Sequence, residues 1–463
     1  MHVLSLFKAS YALYFSSLAC VHPFLALILK QHGLTPGQVG AALLIKPLSG
    51  IAGGTLLCGF ADQHQCHRVV LSLSVAVSAA CIQGLWWVPG GLGLAWVLAL
   101  FFGIGFFSAP VSSIVDSLCS HCIEESSCQE TYGQQRLWGA VGWGLFALVA
   151  SGVFYGLDGP ARLARLAQEY PLIFARFQPG LTDLADSSWW PAFVLHALLT
   201  LGTVVVCDRL AANVMFRERG VGGGNRELAV ELPFREKLAA LQSEGASVGT
   251  FLLLCVVFGL QTGCIEGWLF VVLSSAMRHA TETLYGLSLS VTCIAESLVF
   301  AKSTEIREWI ERGVGVVNAC FMAFAMRLGA YTLGAWLGAN AWCVLLIEPL
   351  HGLTFALTWL WLVEHAKIYG AAAKLESFTV AVATLAMFNL GYGVGGELAG
   401  VAFGVSPLLT FAPTLSILLL AWAGHAWSGR RSRSRTALKA KLSGILHVDD
   451  DEFEHIELTS RDM

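Results

Sequence analysis

The chain has 463 residues, of which 56% are hydrophobic and only 13% are charged, and its mean hydropathy is +0.65. An ordinary globular chain is about a quarter charged, so this composition excludes a soluble enzyme, a disordered chain and a fibrous repeat. The net charge of −4 creates no field that would attract nucleic acid. We therefore expect an integral multi-pass membrane protein whose main surroundings are the lipid bilayer.

Long apolar stretches recur along the whole chain. A membrane-spanning helix needs roughly 20 mostly apolar residues, and twelve stretches meet this need. Their predicted limits are 4–29, 37–60, 69–88, 91–115, 137–156, 189–207, 248–274, 284–301, 313–335, 341–363, 377–402 and 407–427. The sequence predicts an all-α membrane protein with twelve transmembrane helices in two six-helix bundles.

The polar segments suggest how the chain is divided. Residues 209–247 are polar and contain several glycines, which predicts a cytoplasmic linker between an N-terminal bundle (1–208) and a C-terminal bundle (248–427). Residues 428–463 begin with a run of arginines and then become acidic. They predict a disordered cytoplasmic tail.

Orientation follows from the basic residues of the loops. With the N-terminus in the cytoplasm, 19 Lys and Arg residues fall in cytoplasmic segments and 5 in external loops. Both termini are therefore predicted to be cytoplasmic, and 157–188 becomes a long external loop. The sequence does not choose between the plasma membrane and an endomembrane.

Four charged side chains lie deep within predicted spans of the second half: Glu266, Glu296, Arg327 and Glu348. A charge in the hydrocarbon is costly and usually marks a pathway. Three carboxylates and one guanidinium leave an excess of negative charge at low dielectric, so at least one glutamate is expected to hold a proton. These residues are candidates for proton coupling. The alternative is a permanently neutral glutamic acid that is hydrogen-bonded between helices.

His351 follows Glu348 by three residues, which places both on one face of the tenth predicted span. We add His351 to the proton-coupling candidates. A structural, hydrogen-bonded histidine is the alternative.

The sequence offers no support for metal or enzyme chemistry. The spacing in the group of Cys119, His121, Cys122 and Cys128 matches no regular zinc site. No Ser/His pair, His-Glu-x-x-His motif or pair of aspartates in adjoining spans is present. We therefore predict no metal, no cofactor and no enzymatic activity.

A loop between the second and third predicted spans carries the first family resemblance. Gly59-Phe-Ala-Asp62, followed by Arg68, resembles the degenerate loop motif of the major facilitator superfamily. In that superfamily the motif ties helices together in one conformational state. The resemblance implies gating roles for Asp62 and Arg68.

The stretch Tyr132 to Gly144 is similar to the fifth helix of bacterial lactose permease and of related oligosaccharide and nucleoside symporters. That similarity implies that Arg136 and Trp143 line a solute site, together with Asp116 as the acidic residue of the fourth helix. The N–H donors of Arg136, the Asp116 carboxylate as an acceptor and the Trp143 ring for stacking suit a small polar solute. The alternative is a structural Asp116–Arg136 pair.

The second half continues the resemblance. Glu296, Arg327 and His351 match the permease in type and position, and Glu296 falls where the permease residue touches both sugar and proton machinery. The pattern then departs, because Thr354 replaces the proton carrier and Glu348 replaces a lysine. A further ion pair is replaced by Gly263 and Asn389. Neither lactose nor the permease proton route carries over directly.

Taken over nearly all twelve spans, the chain resembles the eukaryotic domain-containing protein six-like branch of the superfamily. We predict a proton-coupled secondary transporter of a small polar organic solute, sugar- or nucleoside-like, that works by alternating access. The alternative is a transporter-shaped receptor or scaffold that binds a protein partner through the external loop 157–188. Deleting that loop would distinguish the two.

Overall fold

The computed structural model describes residues 3–86, 93–125, 132–153, 189–220, 236, 241, 246–371 and 375–428. The predicted external loop 157–188 and the tail beyond residue 428 lie outside these residues. Eleven helices of the described part are long and apolar enough to cross a membrane.

One further helix occupies the position of the fifth predicted span. Its regular α-helical part, Tyr132–Leu148, has only 17 residues and contains Gln134, Gln135 and Arg136, so it falls short of the roughly 20 apolar residues of a full span. Twelve helical segments thus coincide with the twelve predicted spans, and the all-α fold is confirmed. We number the twelve α1 Val3–Gln31, α2 Pro36–His64, α3 His67–Gly84, α4 Gly93–Glu125, α5 Tyr132–Leu148, α6 Trp190–Gly220, α7 Ala246–Ala276, α8 Glu282–Ala301, α9 Val316–Trp336, α10 Ala341–Ala371, α11 Phe378–Val405 and α12 Pro407–Ser428.

Some helices run beyond the limits set by hydropathy. Helix α4 continues to Glu125, and α6 continues to Gly220, well into the segment predicted to be a linker. Both extensions mix polar and apolar residues, and the apolar part reaches Ile123 in α4 and Val214 in α6. A short helix, Ser303–Gly313, also lies between α8 and α9.

Several helices are interrupted where the charged residues lie. Helix α1 changes to a 3-10 turn at His22–Phe24, where Pro23 limits regular helix formation. Helix α10 begins with 3-10 turns, including Glu348–Leu350, and continues through a π-helical segment, Gly352–Leu357. Helix α11 contains a second π-helical segment, Leu385–Gly391. Such segments change which side chains face the helix neighbours and are frequent at functional sites.

The first six helices meet the last six along two seams, α2 against α11 and α5 against α8. In the first seam the Asn389 amide donates to the Pro47 carbonyl at 2.7 Å, and Gly400 lies against the backbone of Pro36. In the second seam the Ser290 hydroxyl donates to the Gly144 carbonyl at 2.8 Å. Glycine allows the backbones to approach closely here.

Candidate solute and proton site

A buried ion pair joins α9 to α10. Arg327 and Glu348 are only 4% and 1% exposed, and Nη2 of Arg327 lies 3.0 Å from Oε2 of Glu348. The Tyr331 hydroxyl bridges the pair, because it accepts from Nε of Arg327 and donates to Oε1 of Glu348, both at 3.1 Å. The pair therefore has the additional hydrogen bonds that buried charges require.

The same guanidinium contacts His351 and Thr354. Nη1 of Arg327 lies 2.8 Å from Oγ1 of Thr354 and 3.2 Å from Nδ1 of His351. An arginine can only donate, so Nδ1 accepts and the neutral ring carries its proton on Nε2. That nitrogen lies 4.0 Å from Oε2 of Glu296. Glu348 and His351 thus face the same partner, as their spacing predicts, and His351 connects Arg327 to Glu296.

Tyr11 and Phe15 of α1 organise the solute-site candidates of the first half. The Tyr11 hydroxyl donates to Oδ1 of Asp116 at 2.6 Å. The Arg136 guanidinium lies over the Phe15 ring at 4.4 Å and near the Tyr11 ring at 5.5 Å. Trp143 also reaches Phe15, with 6.4 Å between ring centroids. Asp116, Arg136 and Trp143 therefore gather around two aromatic rings that the sequence comparison did not single out.

Arg136 has an unused hydrogen-bonding group. Its Nη1 atom is buried and has no hydrogen-bond partner among the described residues. None of the ion pairs formed within the described part of the chain includes Arg136. The Asp116–Arg136 ion pair, the structural alternative, is therefore not formed in this conformation. The charges of Arg136 and Glu266 both act on Glu296, which lies between the two groups of polar residues.

A second polar group crosses between the two halves. His22, Lys46, Glu266 and Tyr392 line one small cavity between α1, α2, α7 and α11. Nζ of Lys46 lies 3.2 Å from Nδ1 of His22, and the positive charges of Arg327 and Lys46 act on Glu266. Glu266 has an exposed side chain although it lies midway along a spanning helix, because it faces this cavity.

The charged side chains between the two halves of the protein are closer to electroneutrality than the sequence suggests. Lys46 and Arg136 add two cations to the deep group, so three cations face four carboxylates. The carboxylates are Asp116, Glu266, Glu296 and Glu348. One bound proton would make this set formally neutral, and neutrality is strongly favoured at low dielectric.

Asp62 and Arg68, the gating candidates, do not pair with each other. Oδ1 of Asp62 lies 2.8 Å from Nε2 of His67. Arg68 holds Asp208 with two hydrogen bonds, at 2.7 and 2.8 Å. The contacts tie α2 to α3 and α3 to α6, which are all in the first half.

Gly263 and Asn389, which replace an ion pair of the permease, have taken on a packing role. Gly263 lies against the backbone of Tyr392, with no room for a Cβ atom. Asn389 holds the seam between α2 and α11 through Pro47. Both positions thus lie in close contacts of α11 with its neighbours α7 and α2.

Sequence reasoning missed several residues of the site. Lys46 is visible as an intramembrane charge, but its proximity to Glu266 depends on helices from opposite halves. Tyr11, Phe15, Tyr331 and Tyr392 give no sequence signal that separates them from the many other aromatic residues of the spans. Their contribution depends on helix rotation, which composition does not determine.

In the described part of the chain, eleven helices of spanning length and the shorter α5 surround a polar centre, which defines the class of multi-pass membrane proteins with the major facilitator fold. The chain belongs to the MFS_1 like family, whose profile matches residues 4–412. This confirms the superfamily that the sequence resemblance indicated.

A similar curated protein is the Probable 3-phenylpropionic acid transporter of Escherichia coli (strain K12). It is 27% identical over 192 residues, which cover 40% of this chain and 49% of that protein. The chain thus matches about half the length of this relative.

Solved structures show the same fold. The nucleoside transporter NupG superposes with a TM-score of 0.62 at 14% identity, over 92% of this chain and 99% of NupG. A bacterial homologue of the human lysosomal transporter Spinster, inward-facing and unoccupied, gives a TM-score of 0.59 at 14% identity, over 91% of this chain and 95% of the other. These relatives are transporters, in agreement with the expectation that the chain is not an enzyme.

Proposed function

We propose that the chain is a proton-coupled secondary transporter that moves a small polar organic solute, sugar- or nucleoside-like, by alternating access. One observation carries the proposal. Polar and charged side chains from both halves converge between the two seams, with Asp116, Arg136 and Trp143 on one side and Glu296 on the other. The named transporters with this fold, including a nucleoside transporter, support transport as the activity.

Proton coupling is assigned to the chain of contacts from Glu296 through His351 to Arg327 and Glu348. Glu296 is the proton carrier in this proposal, because it faces the site and is not held in an ion pair of hydrogen-bonding length. Glu348 forms a buried ion pair with Arg327, which makes it a weaker carrier than the sequence suggests. Glu266 is a second carrier, since it faces the cavity beside Lys46.

The seams indicate which state is present. The contacts Gly400–Pro36 and Gly286–Ser151 lie at helix ends next to the 32–35 turn, the 277–281 turn and the predicted external loop. If both termini are cytoplasmic, these are the external ends. The structure then represents a state that is closed to the outside.

The test is thermal stability of the purified protein against sugars, nucleosides, amino acids and peptides at two pH values. A ligand at 100 times its Kd adds about 2.7 kcal/mol. We expect stabilisation by one chemical class, followed by pH-driven uptake of that class in proteoliposomes. Uptake should lose its pH dependence in Glu296→Gln and keep it in Glu305→Gln, an exposed matched control. Failure of all classes to bind would favour the receptor alternative.

A further inference from the structure

We infer that the solute is a ring-bearing organic monoanion, that its anionic group binds Arg136, and that each anion moves together with one proton. This inference rests on the proposed transport function, but it replaces the neutral sugar- or nucleoside-like solute by an anionic one. It begins from the geometry of Arg136 and from the charges that surround it.

The Arg136 guanidinium has its flat face covered and a donor edge unused. Phe15 lies 4.4 Å and Tyr11 lies 5.5 Å from its central carbon, and Nη1 is buried without a partner among the described residues. Stacking on aromatic faces leaves the N–H groups in the guanidinium plane available for a planar anion. A carboxylate, which accepts two parallel hydrogen bonds, is the best match to this fork.

The carboxylate of Asp116, which is the expected ion-pair partner of Arg136, does not occupy this donor edge. Asp116, the acidic residue predicted to lie in the same solute site, accepts a hydrogen bond from the Tyr11 hydroxyl. Tyr11 thus contacts both Asp116 and the guanidinium, which form no ion pair with each other. Because the buried Nη1 atom of Arg136 has no partner among the described residues and hydrogen bonds to an anion are the stronger ones, the binding of an anion there is favoured over the binding of a neutral hydroxyl.

The aromatic side chains near Arg136 are the reason for proposing a ring in the solute. Trp143 and Phe15 lie together, with ring centroids 6.4 Å apart and planes tilted by 56°. Both side chains are partly accessible, and the Arg136 guanidinium lies over the Phe15 ring at 4.4 Å. An aryl group placed beside Trp143 therefore positions a carboxylate on a short linker within reach of Arg136.

The charges of the centre determine how many protons accompany the anion. Lys46, Arg136 and Arg327 face four carboxylates, so the empty site is neutral with one bound proton. A bound monoanion then gives the site one excess negative charge, and a second proton makes the loaded site neutral again. The positions for these protons are Glu266, which lines the cavity beside Lys46, and Glu296, which is not held in an ion pair of hydrogen-bonding length. Each proton comes from water on one side and returns to water on the other.

The charged and titratable groups around these two carboxylates come from several helices. Glu296 lies 4.0 Å from His351 of α10, and the charges of Arg136 of α5 and Glu266 of α7 act on it. Glu266 faces Lys46 of α2, Arg327 of α9 and Tyr392 of α11. Since anion and proton are taken up together, the Kd for the anion should fall up to about tenfold per unit decrease in pH.

The experiment compares three matched probes on the purified full-length protein: phenylacetate, its neutral isostere phenylacetamide, and acetate. We expect thermal stabilisation by phenylacetate alone, because only this probe has both ring and charge. The Kd should depend on pH between pH 6 and 8, where phenylacetate stays ionised, and Glu296→Gln should flatten that dependence. Arg136→Gln should abolish binding, Arg136→Lys should weaken it about tenfold or more, and Arg312→Gln, an exposed arginine, should leave it unchanged.

Two outcomes would overturn the inference. In the first, phenylacetamide or nucleosides bind as well as phenylacetate does, which would leave the transport function standing with a neutral substrate. In the second, 10 mM phenylacetate gives no stabilisation while a sugar or nucleoside does. If no probe of any class binds, the transport proposal fails together with the inference. The comparison of probes on the unaltered protein does not depend on any variant that misfolds.

Discussion

Nη2 of Arg327 and Oε2 of Glu348 lie 3.0 Å apart in an environment where both side chains are almost fully buried. The pair is held by the Tyr331 hydroxyl and by Thr354, each within hydrogen-bonding distance. It joins α9 to the irregular first part of α10 and so fixes the position of His351 beside Glu296.

Removal of one partner of this pair should be far more harmful than removal of both. Arg327→Met or Glu348→Met leaves an unpaired buried charge and should lower the free energy of unfolding by about 3–5 kcal/mol. The double variant Arg327→Met/Glu348→Met should lose less than either single one. Thermal unfolding in detergent measures the difference. Additive losses would show that the two residues do not act as a pair.

The exposed pair Lys302–Glu305 provides the control for this comparison. Its atoms lie 3.1 Å apart, and both side chains are well exposed. Glu305→Gln should therefore change the free energy of unfolding by less than about 1 kcal/mol.

Lys46 and Glu266 should stabilise the closed state across the two halves. Lys46→Met removes the positive charge that faces Glu266, so the seam beside it should open more often. A cysteine introduced by Leu43→Cys, next to Gly396 in this seam, should react with a maleimide about tenfold faster if the closed state loses about 1.4 kcal/mol. Lys302→Met should not change the rate.

Charge reversal distinguishes attraction from packing at this position. The double variant Lys46→Glu/Glu266→Lys restores opposite charges, so it should return the labelling rate towards that of the Leu43→Cys parent. If the swap labels as fast as Lys46→Met, the charge pair does not hold the seam.

Gly263 should tolerate no side chain. A Cβ atom there would collide with the backbone of Tyr392, so Gly263→Ala should destabilise the protein by about 1–3 kcal/mol through overpacking. Gly249→Ala, where nothing lies within 4 Å of the added atom, should have little effect. Unfolding temperatures of the two variants provide the test, and equal stability would contradict the close contact of α7 and α11.

Orientation can be measured with introduced glycosylation sites. Gly180→Asn creates an Asn-x-Thr acceptor in the predicted external loop, and Glu457→Asn creates one in the predicted cytoplasmic tail. We expect only the first to be glycosylated in a eukaryotic host. Modification of the tail instead would reverse the assignment, and the closed end would then face the cytoplasm.

Hydropathy was sufficient to predict twelve helices, because each span carries enough apolar residues to be recognised alone. It did not predict the extension of α6 to Gly220, since the charged residues Asp208 and Arg209 interrupt the apolar run there. The deep charges Glu296, Arg327 and Glu348 were recognisable because charge is rare in spans. The roles of Tyr11 and Lys46 were not, because their partners, Asp116 and Glu266, lie more than one hundred residues away in the sequence.

The hydrogen bond from Asn389 to Pro47 also bears on the speed of the conformational cycle. It must break whenever α2 and α11 separate, and the tight glycine contacts around it leave little space for a replacing water. Until water enters, the unmade bond costs about 1–3 kcal/mol, which slows separation by about fivefold to about 160-fold. Separation of α2 from α11 is therefore slow until water enters the contact. Osmotic stress, which withdraws water, should accordingly lower the rate at which this seam opens.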